Sequence, residues 1–344
     1  MRLYQVLFAA LIVASASLVF AETAPTEAPY KVINTAKVGG DGGFDYVYAD
    51  ADNRHLFVVR SGNPSGRISV YDLDTVKLIK EIPNVKSGHG AAVDPKSGHA
   101  FSSSNPVVMF DSKTLEIIKT IDVSGNPDGI LFEPATERMY VLSHKAPNVT
   151  VINVADGSIA GTIDLDGAPE QACSDGKGHV YICVEDKGEV AVVDANTMKM
   201  TAHYDLGEKG GTPAGMAMDT VNNILFVYCR KAPSCVVLNA ADGKILATLP
   251  TGSGVDAAEF NPKTMEAFSS QGDGTLTVIK ENSPTSFVVE QNVQTQKGAK
   301  CSTLDAKTGQ IYLITAERVA PAGGGGGGRG AVVPGSFTIL VVGK

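Results

Sequence analysis

Along most of the chain apolar and polar residues alternate in short runs, as in His55-Leu-Phe-Val-Val, Val149-Thr-Val-Ile-Asn and Val190-Ala-Val-Val-Asp. A period of two predicts β-strands, and no segment sustains the 3.6-residue period of a helix. Turn-forming stretches such as DPKSG, EPATE and DAKTG separate the runs, with Pro, Asp and Gly supplying the backbone angles of tight turns. The pattern repeats as a unit of four strands. The first strand ends in an acidic or Asn turn, the second carries an aromatic, the third reads Val-x-Val-x-Asp, and the fourth ends before a glycine. The first-turn positions are Asp50, Asp94, Glu133, Asp175, Asp219, Asn261 and Asp305, spaced 44, 39, 42, 44, 42 and 44 residues apart. The second-strand aromatics keep step at Phe57, Phe101, Tyr140, Tyr181, Phe226, Phe268 and Tyr312. Four strands in roughly 43 residues is the spacing of one propeller blade.

The fold expected is therefore all-β: a seven-bladed β-propeller of four-stranded antiparallel blades in one domain over residues 30–344. Residues 30–40, YKVINTAKVGG, look like the fourth-strand segment LEIIKTIDVSG at 115–125, with no earlier strands of a blade before them. The segment Ser336-Phe-Thr-Ile-Leu-Val-Val reads as a third strand that lacks a fourth. Pairing of these two segments would complete the last blade, close the ring and remove exposed sheet edges.

Units such as GNPDGILFEPATERMYVLSHKAPNVTVINVADGSIAGTIDL at 125–165 resemble the YVTN-repeat, YncE-like propellers, and the resemblance extends over nearly all of the chain after the leader. The signature Tyr-Val-Thr-Asn is met loosely, as MYVLSH and IYLITA. The resemblance implies a seven-bladed propeller exported to the periplasm or cell surface. It implies binding or surface roles, with single-stranded DNA binding among some relatives, and it transfers no functional residue.

Residues 1–21, MRLYQVLFAALIVASASLVFA, place Arg2 before an apolar run that ends in small residues, the order of a secretory signal peptide cut after Ala21. The apolar run is short for a membrane anchor, so no transmembrane segment is expected after cleavage. Residues 22–29, ETAPTEAP, have the bias of a disordered leader. The expected location is periplasmic or secreted, and the expected state is a monomer. A net charge of −8, with no Lys/Arg cluster, argues against a nucleic-acid partner. Five cysteines in an exported chain leave at least one thiol over. Cys229 and Cys235 flank a hairpin loop at mirror positions and read either as a disulfide or as two buried thiols.

Propellers bind ligands where loops converge over the central channel. The positions five residues before each first-turn acid are Asp45, His89, Asp128, Glu170, Ala214, Asp256 and Lys300. The ends of the second strands add Arg60, Asn105, His144, Glu185, Arg230, Gln271 and Glu317 on the same rim. From these, Asp45, His89, Asp128, His144, Glu170, Glu185, Arg230 and Asp256 form the expected ligand-binding rim. Asp45, His89, Asp128 and Glu170 are the candidate ligands of a divalent cation, the one cofactor the composition suggests. A small molecule, a cation or a protein fits such a rim; so does a wet channel mouth with no ligand.

A glycine-rich loop at 322–330 lies between second and third strands of the last blade, either as a lid or as a solvated insertion. The chain has no GxSxG, HExxH or CxxCH motif and no tryptophan. A binding or interaction protein is the leading expectation. The alternative is a lactonase-like hydrolase that uses a metal held by rim carboxylates, and single-stranded DNA binding comes last.

Overall fold

The computed structural model describes residues 29–62, 66–319 and 330–344. The expected signal peptide, the leader up to residue 28 and all but the last residue of the glycine-rich loop lie outside the described residues. Among the described residues, twenty-eight strands form seven four-stranded antiparallel sheets. The innermost strands are Gly43–Asp50, Ala91–Val93, Pro127–Glu133, Pro169–Ser174, Pro213–Asp219, Val255–Asn261 and Cys301–Leu304, opening blades one to seven in turn. Each packs against the next, and Cys301–Leu304 returns to Gly43–Asp50, so the ring is closed.

The repeated acids have one local task. Asp94 accepts backbone N–H bonds from Lys96 (2.9 Å) and Ser97 (3.2 Å), and Glu133 does the same for Ala135 (3.0 Å) and Thr136 (2.8 Å). Asp50, Asp175, Asp219, Asn261 and Asp305 repeat the bond to the residue two positions on. A short side chain that caps its own turn fixes the hairpin without help from distant residues.

The repeated aromatics serve the space between blades. Seven apolar clusters fill the seven interfaces, and each holds one of Phe57, Phe101, Tyr140, Tyr181, Phe226, Phe268 and Tyr312, all nearly or wholly buried. The tyrosines also reach the next blade, where the Tyr312 hydroxyl donates to the Leu73 carbonyl at 2.6 Å and that of Tyr181 to Ala240 at 3.1 Å.

Closure follows the sequence reading. Lys31–Lys37 pairs antiparallel with Thr338–Gly343 as the outer strand of the seventh blade, in the order expected. Tyr30 anchors it to blade six: its hydroxyl donates to Glu266 at 2.6 Å, its N–H donates to Gln291 at 2.9 Å, and its ring meets Phe268 edge-on at 5.2 Å.

The disulfide expectation is corrected here. All five cysteines are free thiols. Register is the reason, since Cys229 lies opposite Ser234 and Cys235 opposite Tyr228. A one-residue offset sends the two side chains to opposite faces of the sheet. Cys229 joins the core between blades four and five, and Cys235 the core between blades five and six.

Candidate functional site

Five innermost strands begin with a register shift, between Phe44 and Val47, Pro127 and Ile130, Pro169 and Ala172, Pro213 and Gly215, and Val255 and Ala257. A bulge re-aims the side chains within it. The residues it holds are Asp45, Asp128, Glu170, Ala214 and Asp256, which are the positions singled out by the repeat. His89 and Lys300 stand just before the shorter strands Ala91–Val93 and Cys301–Leu304 and complete the set. Gly129 follows Asp128 because a Cβ there would meet the Glu170 carbonyl oxygen at 3.1 Å and Leu142 at 3.0 Å.

The side chains form a closed belt. Lys300 Nζ reaches Asp45 at 3.0 Å, and Asp45 meets His89 Nδ1 at 3.0 Å. The same nitrogen lies 3.0 Å from Asp128, whose other oxygen is 3.1 Å from His144 Nε2. His144 Nε2 stands 3.6 Å from Glu170, and Arg230 then contacts Glu170 at 3.3 Å and Glu185 at 2.7 Å. Arg230 and Lys300 both pair with Asp256, which returns the circuit to its start. Four carboxylates alternate with four bases around the circuit, Glu185 branches from Arg230, and every blade contributes. The Cys301 thiol fills the gap between Asp256 (3.3 Å) and Asp45 (3.8 Å).

Protonation follows from this packing. Burial pulls the His89 imidazole down, but the carboxylates of Asp128 and Asp45 outweigh it and hold the ring at about 10. His144 rises to about 8, chiefly through its bond to Asp128. Burial would raise Asp128, yet its two imidazole partners bring it below the usual carboxylate range. Glu170 is raised to about 8 by burial, which Arg230 only partly offsets. The Tyr46 hydroxyl, 3.2 Å from Glu170, is pushed far up by burial and by the acids around it.

All eight residues of the expected rim meet in the belt. Five other rim positions do not join it, among them the buried, apolar Ala214. Arg60 is buried with its guanidinium 3.9 Å above the Phe337 ring, Asn105 is exposed, Gln271 accepts from Thr275 and Thr277, and Glu317 pairs with Lys37 on the surface at 3.5 Å. The sequence reading missed the layer beneath. Tyr46, in blade one, bonds to Glu170 in blade four, so its side chain must cross the channel. Gln171 accepts from Met216 N and Ala258 N, both at 2.9 Å, and donates to Ala258 O at 3.1 Å, tying blades four, five and six together.

The electrostatic picture also differs from an open acidic funnel. Side-chain exposure is 4% for Asp256, 6% for Glu170 and 9% for Asp128, against 31% for His89, 35% for His144 and 25% for Arg230. The deepest acids serve as counter-ions, and the groups nearest solvent are mostly bases, with Glu185 and Asp45 beside them. The triads Asp45–His89–Asp128, Asp128–His144–Glu170 and Asp45–Asp256–Cys301 each bring possible ligand atoms within 4.8 Å of one another. A divalent cation at the first of these would have to displace the proton His89 holds between two acids.

A closed ring of seven four-stranded sheets with a polar belt at one channel mouth defines a seven-bladed β-propeller. Compared with known proteins, the chain is similar to YncE of Salmonella typhi and of Salmonella typhimurium strain LT2, each described as uncharacterized. It is 23% identical to each over 191 residues, 53% of this chain and 53% of the relative. The chain thus spans about half the length of the curated relatives it matches. No family model matches it. A chain of the mitotic checkpoint complex superposes with a TM-score of 0.70 at 12% identity, over 88% of this chain and 95% of that one. U3-55K gives 0.71 at 12% identity over 92% and 99%, and the RRP9 WD40 repeats 0.70 at 12% over 93% and 99%. At such identity these likenesses show the fold alone. No helix among the described residues is long and apolar enough to cross a membrane.

Proposed function

We propose that this chain is an exported binding or interaction propeller whose ligand docks on the belt face. The observation that carries the reading is the convergence of nine ionisable side chains from seven blades at one channel mouth, four of them with a quarter or more of their surface open to water. A rigid ring that holds exposed imidazoles, a guanidinium and a carboxylate in fixed positions suits a polar ligand, small molecule or protein, that makes several directed bonds at once. Neither belt imidazole has a hydroxyl partner among the described residues, which favours binding over nucleophilic chemistry. Residues 1–21 carry the export half of the proposal.

The test is retention of ligand from periplasmic extract by the immobilised full chain, compared with His144→Gln and Glu185→Gln. These two side chains are the more exposed members of their pairs, at 35% and 26%, and Gln leaves a hydrogen-bonding group at each position. Weaker retention by both variants is expected, and equal retention rejects the belt as the site. Export is tested by fractionation and N-terminal sequencing, with Glu22 expected as the first residue of the mature protein.

The ligand triads favour a second reading, a metal-dependent lactonase-like hydrolase. A divalent cation held by Asp45, His89 and Asp128, or by Asp128 and Glu170, would supply carbonyl polarisation. Elemental analysis of the purified protein decides it: stoichiometric metal removed together with lactonase activity by chelation supports this reading, and metal-free protein sinks it. Single-stranded DNA binding would show affinity that falls steeply with salt.

A further inference from the structure

We propose that the channel beneath the belt is a second, separate ligand site, shaped for a small organic cation with Glu259 as its counter-ion. The channel holds a cavity of 710 Å³, inside the range of about 300–1,000 Å³ typical of small-molecule sites. Its walls come from the innermost strands of all seven blades. No belt carboxylate or base lines it, since Tyr46 and Gln171 lie between. Its far end is bounded by Pro95, Pro134, Gly176, Thr220 and Ala306, which belong to the turns on the opposite face. Access is therefore from the side away from the belt, and the inference does not rest on the function proposed for the belt.

The chemistry of the wall is one-sided. It contains no Lys, Arg or His and two acids, Asp175 and Glu259. Asp175 is engaged with its own turn and with His179 at 2.8 Å. Glu259 is different. It has no hydrogen-bond or ion-pair partner among the described residues, and burial alone raises its carboxyl to about 8. Tyr48 and Phe132 line the same cavity, whereas the Phe260 ring turns away to stack on Phe226 at 5.6 Å. A half-buried carboxyl with no basic partner, in a cavity that Tyr48 and Phe132 also line, recognises an ammonium ion by charge, with cation–π attraction from those rings. A neutral ligand would leave the carboxyl as it is, and an anion would be repelled.

The test is calorimetric titration of the full chain with choline, butylammonium and benzylammonium, and with 3,3-dimethylbutan-1-ol as the uncharged isostere of choline. Runs at pH 7 in two buffers of different ionisation enthalpy read the protons released. A cation binds the carboxylate form, so a proton should leave as the ligand binds at pH 7, and affinity should rise between pH 7 and pH 9. Glu259→Gln should abolish the release and weaken binding at least tenfold, while belt variants such as Glu185→Gln leave both unchanged. If Glu259→Gln does not fold, the proton release of the parent chain decides alone. The proposal is overturned if none of the three cations saturates the protein, if the uncharged isostere binds as well as choline, or if binding releases no proton.

Discussion

Asp128 is the hinge of the belt's charge arrangement, and replacing it with Asn removes one charge while keeping size and shape. One of its oxygens meets His89 and the other His144, and its side chain is 9% exposed. His144 owes its rise from 6.5 to about 8 first to Asp128. By linkage that rise corresponds to about 2 kcal/mol, which screening at a side chain about a third open to water brings to about 1 kcal/mol. His89, about a third open to water, loses one of its two acids and keeps Asp45, so its share falls below the roughly 3–5 kcal/mol that breaking a fully buried pair costs. Since Asn still accepts a hydrogen bond, the total expected for Asp128→Asn is about 3 kcal/mol in urea unfolding. NMR titration of the six histidines, assigned by single His→Gln variants, supplies the second readout. The His144 resonance should titrate close to its ordinary value, and that of His89 should fall less because Asp45 remains. An unaltered His144 titration, or a stability change below about 0.5 kcal/mol, would refute the belt as a coupled electrostatic unit.

Other outcomes follow from the same structure. His89 and Glu170 have folded values raised to about 10 and about 8, so their contributions are complete below their ordinary values of 6.5 and 4.5 and vanish as pH climbs through the raised ones. Stability should therefore decline from about pH 5 to pH 10, and Glu170→Gln, which keeps the neutral form, should flatten the early part of that decline in thermal melts. Tyr30→Ala should cost about 3–5 kcal/mol through the lost ring packing and the lost bond to Glu266, whereas Tyr30→Phe should cost about 1–2 kcal/mol; equal effects would mean that the ring contributes nothing to closure. Intact mass measured without reductant should correspond to five free thiols, and a mass two units lower would contradict the strand register at Cys229 and Cys235.

Fold and closure were legible because the information is local and repeated seven times. Each turn acid caps its own hairpin, and each second-strand aromatic fills one interface, so the pattern survives in a single sequence. The belt positions were legible from the same offset, which coincides with a bulge in five blades. What the offset could not reveal was pairing across the ring. Lys300 lies 255 residues from Asp45 and Arg230 lies 60 from Glu170, so a set of carboxylates that reads as an acidic funnel turns out to be largely neutralised. Tyr46, Gln171 and Glu259 gave no signal, since strand alternation does not say which side chains of an innermost strand turn to the channel. Of the two readings of Cys229 and Cys235, the buried thiols hold and the disulfide fails by a single residue of register.

The seventh blade joins Lys31 to Gly343, so the contact that closes the ring lies between segments far apart along the chain. Bringing such ends together costs about 5 kcal/mol of chain entropy, and nothing rewards it until the six preceding sheets stand in order. Because the two halves of the seventh blade come from opposite ends of the described chain, a ring missing any sheet would offer them no common edge to share.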